Sequence, residues 1–138
     1  MLPLILVMGC EVDLSVDHFE KNMIEAVQGA SSGIVTIVAS GASVDDDGKI
    51  ERTGSGVIIA DNGTIVTTYG VIDECDSFRV LYQDGCQHDG RIVGFDRETN
   101  VALLITDEHI HGCFPVPMVE AENIEVGSII IATGFDPL

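Results

Sequence analysis

Along most of this chain, short apolar runs rich in β-branched residues alternate with polar breaks containing Gly, Asn or Asp. The runs are Ile34–Ala39, Val57–Ala60, Thr64–Thr68, Phe78–Tyr82, Arg91–Phe95, Val101–Ile105 and Ile129–Ala132. Runs this short and this branched predict strands, and their spacing near ten residues predicts an antiparallel barrel or sandwich. Asn62-Gly63 and Asp84-Gly85 lie between such runs and predict tight hairpins. The polar stretch from residue 41 to residue 53 reads as a hairpin loop, and Tyr69–Asp76 as a short segment outside the sheet.

Only one segment has helical periodicity. Asp17 and Glu20 have the spacing of an N-terminal capping box, and Phe19, Met23, Val27 and Ala30 fall on one face, so a helix is expected over 17–29. Gly29 and Ser31-Ser32-Gly33 end it. Residues 1–16 are set apart as an N-terminal segment. Their apolar run, broken by Pro3, reads as a buried strand or as the product of a misplaced start codon, and is too short to cross a membrane. No Lys or Arg precedes Lys21, so there is no convincing signal or transit peptide, and the reading inclines to an intracellular soluble protein, cytoplasmic or nuclear.

Composition narrows the partners. Six basic against 23 acidic side chains among 138 residues give a net charge of -17, a field that repels phosphate backbones and anionic membranes. Neither nucleic acid nor membrane is expected as a partner. Cys10, Cys75, Cys86 and Cys113 contain no C-x-x-C pair, so they are expected as reduced, partly buried thiols rather than zinc ligands. Asp45, Asp47 and Gly48 have some features of a calcium loop, but Ser43 and Gly54 stand where its first and last ligands belong. His109 and His111, with Asp107 or Glu108, are spaced only for an adventitious metal site, and His18 and His88 read as ordinary helix and hairpin histidines. No metal and no cofactor is expected. Gly54-Ser55-Gly56 lacks the Gly-x-Ser-x-Gly spacing of a nucleophile elbow and reads as the start of a strand.

Four strings, in order, carry a resemblance: Gly54-Ser-Gly-Val-Ile-Ile59, Asp61-Asn-Gly-Thr-Ile-Val-Thr67, Asp96-Arg-Glu-Thr-Asn-Val-Ala-Leu-Leu104 and Val126-Gly-Ser-Ile-Ile-Ile-Ala-Thr-Gly134. Together they resemble the N-terminal barrel of trypsin-fold serine proteases, most closely the HtrA or Deg (protease Do-like) group. The resemblance implies an all-β, mainly antiparallel fold: a single six-stranded barrel with one N-terminal helix over residues 17–138, the second barrel being absent. It also implies a triad of hydroxyl, imidazole and carboxylate. Gly70 stands at the histidine position and Asn100 at the aspartate position, and the serine would lie on the missing barrel. Tyr69, beside the vacant base position, reads as a packing residue. The expected function is therefore a catalytically inactive, HtrA/Deg-like binding or pseudoprotease module. It would meet a protein partner, or itself, through the face that a second barrel would cover. The alternative is an incomplete fragment of a serine endopeptidase whose nucleophile lies elsewhere.

Overall fold

The computed structural model describes residues 2–42, 48–107 and 113–134, with side chains from Val16 onward. The chain divides into two compact units, Met1–Ser31 and Ser32–Leu138.

The first unit is one helix, α1 (Leu2–Ser31). It starts fifteen residues before the expected cap, so Asp17 and Glu20 lie inside the helix, and residues 2–16 are helix rather than strand. The apolar residues before Asp17 are compatible with a helix, and Pro3 falls in the first turn, where its missing N–H costs no hydrogen bond. The end falls where expected: the Ser31 hydroxyl turns back to donate to the Val27 carbonyl at 2.7 Å.

The second unit contains β1 (Ile34–Ala42), β2 (Lys49–Ile58), β3 (Thr64–Thr68), α2 (Tyr69–Ile72), β4 (Ser77–Leu81), β5 (Gln87–Asp96) and β6 (Val101–Thr106). The six strands close into an antiparallel barrel in the order β1-β2-β3-β6-β5-β4, with β4 returning to β1. The long β1–β2 ladder runs from Ile34 opposite Val57 to Ala42 opposite Lys49. Closure gives every strand two neighbours, although β2 meets β3 only at Val57 and Ile58 and pairs with β1 alone over residues 49–56.

Both hairpin signals are realised in the backbone. Gly63 and Gly85 take φ of +80° and +86°, a region open to glycine at no steric cost. Asn62 Oδ1 accepts from the Thr64 N–H at 3.1 Å, and Asp84 Oδ1 from the Cys86 N–H at 2.9 Å, so each turn is also held by a side chain.

Val35, Ile37 and Ala39 of β1, Ile58, Ile65, Val80, Ala102 and Leu104 fill the barrel, with Ile72, Phe78 and Tyr82 completing the buried cluster. Ile37, Ile65 and Leu104 are fully buried, each contributing about 1.5–3 kcal/mol relative to exposure. Gly54-Ser55-Gly56 lies well inside β2 rather than at its start. Side chains there would collide with neighbours: Cβ atoms would meet Val71 at Gly54, and Ile65 and Ile37 at Gly56. The two glycines are thus space for α2 and for the core.

Three further boundaries differ from expectation. β2 begins at Lys49 and β5 at Gln87, because polar outward positions alternate with inward ones that pair across the sheet. Residues 49–53, read as loop, are consequently strand. Ile129–Ala132 is not a strand, and Ile129 and Ile130 are exposed. The preceding stretch holds one turn of 3-10 helix, Ala121–Asn123.

Candidate functional site

The chain between β3 and β4 leaves the sheet at Thr68 and makes the single helical turn α2. A helix start leaves backbone N–H groups without internal partners, and Thr68, the residue placed to cap them, makes no side-chain cap bond. Asn100, at the end of the β5–β6 turn, takes its place. Its backbone carbonyl accepts the Tyr69 N–H at 3.1 Å, and its side-chain Oδ1 accepts the Gly70 N–H, also at 3.1 Å. To do both, Asn100 adopts φ of +56°, a left-handed conformation that Asn tolerates better than most residues.

Gly70 is held from its other side as well. Arg52 occupies one of the inward positions of β2 that alternate through Ile50, Arg52 and Gly54. Its Nη1 donates to the Gly70 carbonyl at 2.8 Å, and its Nη2 lies 3.2 Å from the Glu74 carboxylate. Side chains from two distant strand regions thus fix the backbone of residue 70. The position has room for a side chain, since the nearest atom to an added Cβ would be Asn100 Oδ1 at 4.0 Å.

Tyr69 points into a second cluster. Its hydroxyl donates to the Asp73 carboxylate, its ring packs on Phe95 with centroids 5.2 Å apart, and the Arg97 guanidinium lies 5.1 Å from the ring centroid. The Asp73 hydrogen bond, followed by desolvation, pushes the Tyr69 hydroxyl above its ordinary range against the opposing effect of Arg97. A phenol kept protonated in this way is a poor proton acceptor near neutrality. Its packing against Phe95 agrees with the reading of Tyr69 as a packing residue.

The structure therefore brings Gly70 and Asn100 together. Within this unit it does not bring a described histidine to them: His88 lies in β5 opposite Val80 and meets the Tyr82 ring; His18 belongs to α1, in the other unit. His109, His111 and Glu108, like Ser43, Asp45 and Asp47, lie outside the described residues. Asp107 is described, and pairs with Arg91 at 3.4 Å. Among the described residues no group of three or more His, Cys, Asp or Glu is placed to hold a metal ion.

Cys75, Cys86 and Cys113 are free thiols. Burial raises the pKa of Cys75 and Cys113, whereas the Asp84 carboxylate raises that of Cys86. Cys86 is exposed rather than partly buried, because it sits at the tip of the Asp84-Gly85 turn.

Sequence reasoning missed two groups. Arg52 had a usable signal, a charge at an inward strand position, which calls for a partner. The Tyr69, Asp73 and Arg97 cluster had none, since Arg97 reaches it from the turn after β5.

Comparison with known proteins follows from this geometry. Residues 54–138 match the family model described as trypsin-like peptidase domain. The chain is 36% identical over 94 residues to a probable periplasmic serine endoprotease DegP-like of Rickettsia conorii, covering 66% of this chain and 18% of the relative. It is 31% identical over 112 residues to the serine endoprotease DegS of Escherichia coli K12, covering 79% and 31% respectively. Protease Do-like 1, chloroplastic, of Arabidopsis thaliana is 34% identical over 84 residues, or 61% of this chain and 19% of that protein. The crystal structure of the serine endoprotease from Yersinia pestis superposes with a TM-score of 0.54 at 30% identity, covering 64% of this chain and 30% of that one. The chain thus spans between about a fifth and a third of the length of these relatives.

Proposed function

The chain belongs to the trypsin-like peptidase domain family, in its HtrA/Deg-like group, and from that premise we propose that it is a catalytically silent barrel that acts by binding protein. The observation that carries the reading is the state of residue 70. Acyl transfer by this fold needs an imidazole to take the proton of a serine hydroxyl and a carboxylate to orient that imidazole. Gly70 offers no side chain, and the Oδ1 of Asn100 is engaged by the Gly70 N–H. Losing the base alone typically costs on the order of a million-fold in turnover.

Binding is supported by exposed apolar residues. Phe95 and Val101, at the ends of the strands that flank Asn100, are exposed, as are Val93 in the β5 bulge and the isoleucines of 129–131. Exposed apolar area of this kind marks an interaction surface or an aggregation liability. The test is cleavage of unfolded casein by the purified chain. No cleavage above buffer is expected, and cleavage that a serine-directed inhibitor abolishes would refute the proposal.

A second reading is a serine endopeptidase whose other barrel supplies the nucleophile, favoured by the small share of each relative that the chain covers. A serine supplied in that way would still face a residue 70 without a base. Mixing the chain with the second barrel of a Deg-type relative should give no hydrolysis. Hydrolysis in the mixture would decide for this second reading.

A further inference from the structure

We propose that Cys86 and Cys113 are a thiol pair that a low-molecular-weight disulfide oxidises to an intramolecular disulfide, tying the segment that follows β6 to the turn between β4 and β5. The proposal is independent of the binding role above, and its test reads neither catalysis nor binding.

The fold brings the two positions to one buried side chain, Tyr82. Its N–H donates to the Cys86 carbonyl at 2.9 Å, and its own carbonyl accepts the Gly85 N–H at 3.0 Å, which closes the turn. Tyr82 is 2% exposed, and its hydroxyl lies 3.3 Å from Thr106 Oγ1 at the end of β6. Cys113 packs against the buried cluster to which Tyr82 belongs, and it is an electrostatic neighbour of the Tyr82 hydroxyl. The chain beyond Cys113 is held in place. The Val116 N–H donates to the Ile58 carbonyl at 2.9 Å, and a Cβ on Gly33 would run into Val116 Cγ2 and the Phe114 carbonyl. The Cys86 side is open instead. Cys86 is exposed, and a Cβ on Gly85 would meet nothing within 4 Å, so the tip of the turn has room to close on Cys113.

Electrostatics single out this pair among the described thiols. After burial, the groups that raise the Cys113 thiol are Asp84 and then Cys86. Burial raises Cys75 as well, but the charges around it are Arg52, Asp76, Asp73 and Glu74.

Exchange proceeds in two steps. The exposed Cys86 thiolate attacks one sulfur of the small disulfide, so that a mixed disulfide forms and the first small thiol leaves. The Cys113 thiolate then attacks Cys86 Sγ and expels the second. The protein gives up two protons and two electrons, and the oxidant is reduced to two thiols. Asp84 raises the Cys86 thiol and burial raises that of Cys113, and poor leaving groups of this kind make the bond slow to reopen once formed.

The experiment incubates the full reduced chain with oxidised glutathione, blocks the remaining thiols with iodoacetamide, and reads intact mass and disulfide-linked peptides. Wild type should carry no glutathione at residues 86 and 113 and should yield a peptide joining Cys86 to Cys113. In Cys113→Ser the mixed disulfide on Cys86 should persist roughly tenfold longer than in wild type, because the thiol that resolves it is gone. Cys75→Ser should behave as wild type, and an unchanged circular dichroism spectrum shows that each variant has folded. Glutathione that persists on Cys86 of the wild type, a crosslink joining a different pair or two chains, or an equal yield of the Cys86–Cys113 crosslink in urea-unfolded chain would each overturn the proposal.

Discussion

Asn100 holds the first turn of α2 by two bonds, its carbonyl to the Tyr69 N–H and its side chain to the Gly70 N–H, each at 3.1 Å. The two positions where the family resemblance implies a base and its orienting carboxylate are therefore still in contact. The contact is between an amide oxygen and a backbone N–H, and it serves the fold.

This relationship sets the cost of changing Asn100. Asn100→Ala loses the side-chain bond and leaves φ +56° to a residue without the short polar side chain that makes this region tolerable for Asn, which together should lower stability by about 1–2 kcal/mol. Asn100→Gly loses the same bond but relieves the backbone, so it should cost under about 1 kcal/mol. Urea unfolding of the two variants checks the order. Equal losses would mean that the left-handed backbone at Asn100 carries no cost.

The glycine inside β2 gives a packing prediction. A Cβ at Gly56 would sit 2.7 Å from Ile65 Cγ2 and 2.8 Å from Ile37 Cδ1, both closer than van der Waals contact. Gly56→Ala should destabilise by about 1–3 kcal/mol. Adding Ile37→Val removes one of the two clashing atoms and should return part of that loss in a double-mutant cycle. Leu104→Ala, at a fully buried site, should cost about 2–5 kcal/mol. Thermal or urea midpoints measure all three.

Acid sensitivity follows from two turn carboxylates. Asp96 accepts from Thr99 Oγ1 at 2.8 Å and from the Glu98 N–H at 3.0 Å, and Thr99 first, then Glu98, hold its pKa below the ordinary carboxylate value. Asp84 is lowered in the same direction by the Cys86 N–H. A carboxylate with a depressed folded pKa stabilises above the unfolded value, about 3.9 for Asp, and its contribution is lost as pH falls through the folded value. Stability should therefore drop below about pH 4. Asp96→Asn should lose less than wild type between pH 5 and pH 3, roughly the interval in which the unfolded carboxylate titrates. Urea midpoints at the two pH values are the check, and equal losses in both proteins would contradict the assignment.

What the sequence disclosed and what it hid have physical causes. Asn62-Gly63 and Asp84-Gly85 were legible because a positive φ has few residue solutions, and the turn bonds from Asn62 and Asp84 are local. The start of α1 was not, since Asp17 and Glu20 have capping spacing whether or not a helix already runs through them. Ile129–Ala132 was misread because strand composition says nothing of whether an edge is free to accept it. At the site, Gly70 and Asn100 were legible only through the family strings. The grip of Arg52 on Gly70 spans 18 residues of sequence, and its signal, a charge at an inward strand position, is hidden while residues 49–53 read as loop.

The central claim, a barrel without serine-hydrolase chemistry, is tested most directly by intact-mass measurement after incubation with a fluorophosphonate probe. Wild type and the Gly70→His, Asn100→Asp double variant should both keep their unmodified mass, the second because restoring a base and its orienting carboxylate supplies no activated nucleophile. One probe adduct per chain on the wild-type protein, at Ser55 or at any other serine, would contradict the account.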